Sequence, residues 1–175
     1  MSPKSLNSSL SRLSLEEPQK TAYIYLDENG VEKEKISYRE LYMRVSSAAV
    51  QLKRNGYSGS TAILIYPQGI EFIVVFLACL KAGVIAIPVP ALDTSIKERI
   101  LTRIKNIVKD ADTKLILTTP SIRGTLCSGV SDLGRQVSWF SISDEVQSDG
   151  DEDFSVENSI AIAYLQYTSG STCLP

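Results

Sequence analysis

The chain has 175 residues, one domain's worth or one large piece of a bigger domain, and its 43% hydrophobic and 22% charged content excludes wholesale disorder. Eighteen basic against twenty acidic side chains leave a net charge of −2, which gives no electrostatic basis for a nucleic-acid partner. No histidine is present, which excludes Ser-His-Asp and Cys-His catalysis and histidine metal sites, and three widely spaced cysteines (Cys79, Cys127, Cys173) suit neither a disulfide framework nor a zinc knuckle but a reducing, cytoplasmic setting.

The first fifteen residues are serine-rich and free of acids, as a transit peptide would be. Leu6, Leu10 and Leu13 at i, i+4 and i+7 instead predict a short amphipathic helix packed on the domain. Ala22–Leu26 reads as a strand, Asp27-Glu28-Asn29-Gly30 as a turn and Val31–Ile36 as the return strand of a hairpin. Ser37 followed by Glu40 is a capping box. It opens a helix whose face is Leu41, Val45, Ala48, Ala49 and Leu52 and which stops near Gly56. Thr61–Tyr66 is an apolar run fit for a strand buried on both faces.

Phe72–Leu92 is almost wholly apolar and long enough to span a bilayer. Lys81 near its middle opposes a span, at roughly 2.5–3.5 kcal/mol on insertion scales. Gly83 stops a helix, and Pro88 and Pro90 cannot continue one. The segment therefore parses as a buried helix Ile70–Ala82 and a buried strand Val84–Ile87, and no transmembrane segment is expected. Ser95 with Glu98 is a second capping signal, ahead of a stripe of Ile96, Ile100, Ile104, Ile107 and Val108 that ends near Asp110. Lys114–Thr118 and Val137–Ile142 read as strands, Ser121–Leu126 as a short helix and Ser159–Gln166 as the last strand. Residues 143–158 are rich in acids, carry no base, and read as a solvated surface loop. They lack the glycine-punctuated spacing of a calcium loop, so no metal site is assigned there. Cys79 and Trp139, with Tyr23, Tyr25, Tyr38 and Tyr42, read as packing residues. The whole is an α/β fold with a mainly parallel sheet, flanking helices and an N-terminal β-hairpin.

Such sheets bind ligands beyond the carboxyl ends of their strands. After the last strand comes Thr168-Ser169-Gly170-Ser171-Thr172, four hydroxyls around one glycine. Glycine lets the main chain approach a ligand closely, and hydroxyl and N–H donors can hold phosphate oxygens. The pattern is an anion cradle suited to a nucleotide triphosphate, yet Ser/Gly/Thr stretches are most often plain loops. It is not a Walker loop, because G-x-x-x-x-G-K-[ST] occurs nowhere.

Tyr164-Leu165-Gln166-Tyr167-Thr168-Ser169-Gly170-Ser171-Thr172 resembles the phosphate-binding signature of the adenylate-forming (AMP-binding) ligases. Ser37–Leu41, Tyr66–Ile73 and Cys79–Pro88 resemble, in order, earlier blocks of that superfamily, and Leu-Gln-Tyr before the loop resembles its fatty acyl-AMP ligase branch. The resemblance implies an enzyme that condenses a fatty acid with ATP, with Mg²⁺, to an acyl-adenylate, releasing pyrophosphate. It implies transfer of the acyl group to an acyl carrier protein, free or within a polyketide or peptide synthase. Thr168, Ser169, Gly170, Ser171 and Thr172 inherit the role of holding the ATP phosphates, and no residue of this chain inherits a catalytic or metal-ligating one.

The resemblance covers about the first third of such an enzyme, so residues 1–175 are expected to be the N-terminal part of an AMP-binding domain, cut off after the phosphate loop and inactive alone. Where the family continues Gly-x-Pro-Lys, this chain reads Cys173-Leu174-Pro175, which restricts the loop backbone. The last strand is expected to leave a sheet edge uncovered. Two other readings remain open at this stage: another adenylate-forming branch (an acyl-CoA ligase or a peptide-synthetase adenylation domain), and a non-catalytic nucleotide-binding or docking module.

Overall fold

The structure, a computed structural model, describes residues 5–90, 97–126, 137–143 and 162–167. In chain order the elements are α1 (Leu6–Glu16), β1 (Thr21–Leu26), β2 (Glu32–Ser37), α2 (Tyr38–Arg54), β3 (Thr61–Tyr66), α3 (Ile70–Ala82), β4 (Ile85–Pro90), α4 (Lys97–Asp110), β5 (Leu115–Thr118), α5 (Pro120–Leu126) and β6 (Ser138–Phe140). β1 and β2 form an antiparallel hairpin. Its turn is closed by the Asp27 carboxylate, which accepts from the N–H groups of Asn29 (3.0 Å) and Val31 (2.9 Å). The other four strands form a parallel sheet in the order β4-β3-β5-β6.

Alternation along the strands divides the core in two. Ala62, Leu64, Tyr66, Ala86, Leu115 and Leu117 face α2 and α3, with Leu10 of α1 in the same cluster. Ile63, Ile65, Ile87, Val89 and Ile116 face Ile100, Ile104, Ile107 and Val108 of α4 and Leu126 of α5. The helical stripes read from the sequence are therefore the ones that cover the two sheet faces.

Local chemistry sets the boundaries. Ser37 caps α2, its side chain accepting from the Glu40 N–H at 3.2 Å. Gly69 precedes α3 at φ 145°, and Gly83 ends it in the left-handed region at φ 73°, with its N–H donating to the Cys79 carbonyl. The 72–92 run is thus divided between a helix and a strand, and no described helix is long and apolar enough to cross a membrane. Lys81, the charge inside that run, donates to the Ser46 hydroxyl at 2.7 Å and lies 4.4 Å from the centre of the Tyr42 ring.

Four expectations change. β4 runs on through Pro88 and Pro90, beyond Ile87. Ile85 donates to Ser60 on the β3 side, whereas both the N–H and the C=O of Ala86 face away from β3, toward residues 163–165. Pro88 and Pro90 share the parity of Ala86, so their missing N–H groups fall on the side where no β3 partner waits. The stretch expected as the last strand contributes, over its described part, a single parallel bridge between Tyr164 and Ala86. β6 is shorter than Val137–Ile142, because the chain leaves the sheet for α2: Gln51 donates to the Ser143 carbonyl and accepts from its N–H, both at 3.0 Å. Tyr23 is exposed on the hairpin instead of packed, unlike Tyr25, Tyr38 and Tyr42. The Ser95 cap and the acidic stretch from residue 144 to 158 lie outside the described residues.

Candidate functional site

Because β3, β4, β5 and β6 are parallel, their carboxyl ends share one end of the sheet. From β3 the chain turns through Pro67-Gln68-Gly69 into α3 on one face. From β4 and β5 it passes to α4 and α5 on the other. Adjacent connections diverge on both sides of β3, which is where open α/β sheets form their binding crevice.

Residues 162–167 bring the chain to that end. The segment runs parallel to β4, with Ala86 N–H donating to the Ala163 carbonyl (3.3 Å) and Leu165 N–H to the Ala86 carbonyl (2.9 Å). Its side chains alternate between the two layers. Tyr164 meets Phe76 of α3 edge to face at 5.8 Å, while Leu165 and Tyr167 pack against the α4-side cluster. Ile162 and Tyr164 remain about half exposed, at 48% and 49%. Tyr167 lies three residues past the bridge, and the next residue is Thr168. The proposed phosphate holders Thr168, Ser169, Gly170, Ser171 and Thr172 lie outside the described residues, as do Cys127 and Cys173.

Tyr167 is held by two side chains of α4. The Arg103 guanidinium donates to the Tyr167 carbonyl, and the Tyr167 hydroxyl donates to the Asp110 carboxylate, each at 2.5 Å. That second bond, with burial and the carboxylate charge adding to it, pushes the phenol up to about 12. Neither Arg103 nor Asp110 was singled out from the sequence. Their spacing of seven puts both on one stripe of α4, but exposed charges at that spacing are ordinary on a helix. Nothing local announces a partner 57 to 64 residues away.

The remaining candidates are structural. Cys79 is fully buried, and burial pushes its thiol up to about 12, so it presents no thiolate. Thr118, at the carboxyl end of β5, spends its hydroxyl on the Ile65 carbonyl at 2.8 Å. A cavity of about 30 Å³ beside Arg44, Ser47 and Glu71 has room for a water and not for a nucleotide. Among the described residues no three His, Cys, Asp or Glu side chains gather to hold a metal ion.

Comparison with known proteins gives a consistent result. The family described as AMP-binding enzyme matches residues 12–175. A medium-chain-fatty-acid–[acyl-carrier-protein] ligase, JamA of Moorena producens, is 37% identical over 159 residues, covering 88% of this chain and 27% of that protein. A long-chain-fatty-acid–AMP ligase, FadD23 of Mycobacterium tuberculosis, is 32% identical over 165 residues, covering 90% and 28%. The fatty acyl-adenylate ligase of L. pneumophila, solved with acyl adenylate and pyrophosphate, superposes with a TM-score of 0.75 over 98% of this chain and 29% of that one. At 23% identity it bears on the fold alone. The chain thus spans between a quarter and a third of the length of the proteins it matches.

Proposed function

The chain belongs to the AMP-binding enzyme family, and on that basis we propose that residues 1–175 form the N-terminal part of the adenylation domain of a fatty acyl-AMP ligase. The observation that carries this reading is the parallel course of residues 162–167 beside β4, which leads the chain into the crevice end of the sheet. Thr168, Ser169, Gly170, Ser171 and Thr172 come next in the sequence, and in this reading they take the ATP phosphates. The donor set fits the group: four hydroxyls and the intervening backbone N–H groups supply hydrogen bonds without steric bulk at Gly170.

In the proposed reaction a fatty-acid carboxylate attacks the α-phosphorus of ATP, and pyrophosphate leaves. The loop orients the phosphates and offsets the negative charge that builds on them, which accounts for much of the catalysis in phosphoryl and nucleotidyl transfer. Mg²⁺ would neutralise phosphate charge. Among the described residues no three His, Cys, Asp or Glu side chains gather around a place for it. No histidine base is required by such chemistry, in keeping with a chain that has none.

The acyl group then passes to an acyl carrier protein, free or within a polyketide or peptide synthase, in the cytoplasm, where ATP is supplied. The relatedness to JamA, whose acceptor is an acyl carrier protein, favours this acceptor over coenzyme A. The test is an acceptor competition. A chimera in which this chain replaces the matching segment of JamA is given ATP, a labelled fatty acid, and carrier protein and coenzyme A together. Label on the carrier protein is expected. Label on coenzyme A alone would overturn the branch assignment, and adenylate formation without either transfer would leave the carrier-protein step unsupported by this segment.

A further inference from the structure

We propose that Pro88 and Pro90 are a ladder stop on the outer side of β4, which ends sheet pairing after Leu165 and so sets the point where the chain departs from the sheet. The device lies wholly in β4 and residues 162–167, and it holds whichever ligand the crevice takes.

A parallel ladder repeats every two residues. Ala86 shows one repeat in full: its N–H donates to the Ala163 carbonyl, and its carbonyl accepts from the Leu165 N–H. To run on, the ladder would need an N–H at position 88 for the Leu165 carbonyl and one at position 90 for the Tyr167 carbonyl. Proline supplies neither, and its ring carbon stands where the hydrogen would be. The ladder is closed before Ala86 as well, because Val84 donates its N–H to the Cys79 carbonyl at 2.8 Å, at the end of α3. Of Val84, Ala86, Pro88 and Pro90, which share one parity, Ala86 alone has an N–H for a neighbour on that side. The single bridge is therefore set by β4 and not by the segment that meets it. Ile162–Tyr167 is uncharged and rich in aromatic and aliphatic residues, a composition that by itself favours a longer strand.

The other bonds of the segment fit this division. The Tyr167 carbonyl, which an N–H at position 90 would take, accepts from Arg103 of α4 instead. Among the described residues, the hydrogen bonds between this segment and β4 end at Leu165. Leu165 and Tyr167 pack against the α4-side cluster, so the chain passes from the sheet to the helix layer within two residues. On its inner side β4 loses nothing to its prolines. Its N–H groups toward β3 belong to residues of the other parity, as the bond from Ile85 to Ser60 shows. One strand thus pairs fully with β3 while its outer edge admits a neighbour at a single residue. The same prolines keep that edge from serving as a template for other chains.

Residue-resolved hydrogen exchange on the 175-residue chain tests the stop. Without any substitution, the Leu165 amide should be protected about tenfold or more over the Tyr167 amide. Equal protection of the two overturns the proposal. In Pro88→Ala/Pro90→Ala the ladder is free to run on. The Tyr167 amide should then gain about tenfold in protection from the carbonyl at position 88, and the new amide at that position should be as protected as that of Ala86. Unchanged amides in β3 and β5 report that the fold is intact. Pro90→Ala alone, at an exposed position, should leave Tyr167 as it was, because the stop at Pro88 remains. A Tyr167 amide that stays fast in the intact double variant overturns the stop. So does a double variant that light scattering finds dimeric with that amide still fast, since the prolines would then guard the edge against other chains without setting the exit of this one.

Discussion

Ser37 ends β2 and caps α2 at once, its hydroxyl oxygen accepting from the Glu40 N–H. Replacing it with alanine leaves a helix N–H without its partner and should lower stability by about 1 kcal/mol, read as a lower urea midpoint at unchanged slope. Tyr167 offers a residue-scale test in pH. Its phenol is raised from 10.0 to about 12, chiefly by the hydrogen bond to Asp110. A raised folded-state value means that the neutral phenol is favoured in the fold. Its contribution to stability is therefore complete below pH 10 and is lost as the pH rises toward 12. In Asp110→Asn the phenolate absorbance assigned to Tyr167 should appear at lower pH, nearer the ordinary tyrosine value. An unmoved midpoint would contradict the assigned bond. Ser37 was legible in the sequence because a cap and its partner lie three residues apart. The bonds of Arg103 and Asp110 to Tyr167 were not, because they are made across layers that only the folded sheet brings together.

Elements were legible where periodicity and punctuation agreed. Ile70–Ala82 has a glycine on either side, and the helix occupies those residues. Gly83 sits at φ 73°, so Gly83→Ala should cost about 1–2 kcal/mol through backbone strain, with a lower melting temperature and unchanged secondary structure. α4 was read from its isoleucine stripe, and Ile104, fully buried, is its centre. Ile104→Ala should cost about 2–5 kcal/mol, a loss that thermal and urea unfolding would both register. Elements were misjudged where the sheet overrode local rules. Prolines ordinarily end a strand, yet Pro88 and Pro90 continue β4 because their nitrogens face the side away from β3. An apolar run ordinarily makes one, yet the described part of Ser159–Gln166 shares a single bridge with β4. Strand length depends on what pairs alongside, and a neighbour is not written in the run itself.

Over the whole molecule, two helical layers and a parallel sheet raise one crevice end, and the chain returns to that end at Tyr167. The architecture was readable from the alternation of strands and amphipathic helices. The phosphate role proposed for Thr168–Thr172 draws its strength from the resemblance, because hydroxyl-rich loops are common and the residues alone suggest an anion cradle only weakly. An acyl-adenylate needs groups on both sides of the α-phosphate. This chain matches 27% of JamA, so the 175 residues alone should not turn over. The most direct measurement is fatty-acid-dependent ATP–pyrophosphate exchange, run on the 175-residue chain, the JamA chimera and the chimera carrying Ser169→Ala/Thr172→Ala. Exchange by the chimera, with loss of about 10²-fold or more in the double variant and none by the chain alone, is the predicted result. A folded chimera without exchange, or one indifferent to the double substitution, would contradict the assignment of this chain as the phosphate-holding part of a fatty acyl-AMP ligase.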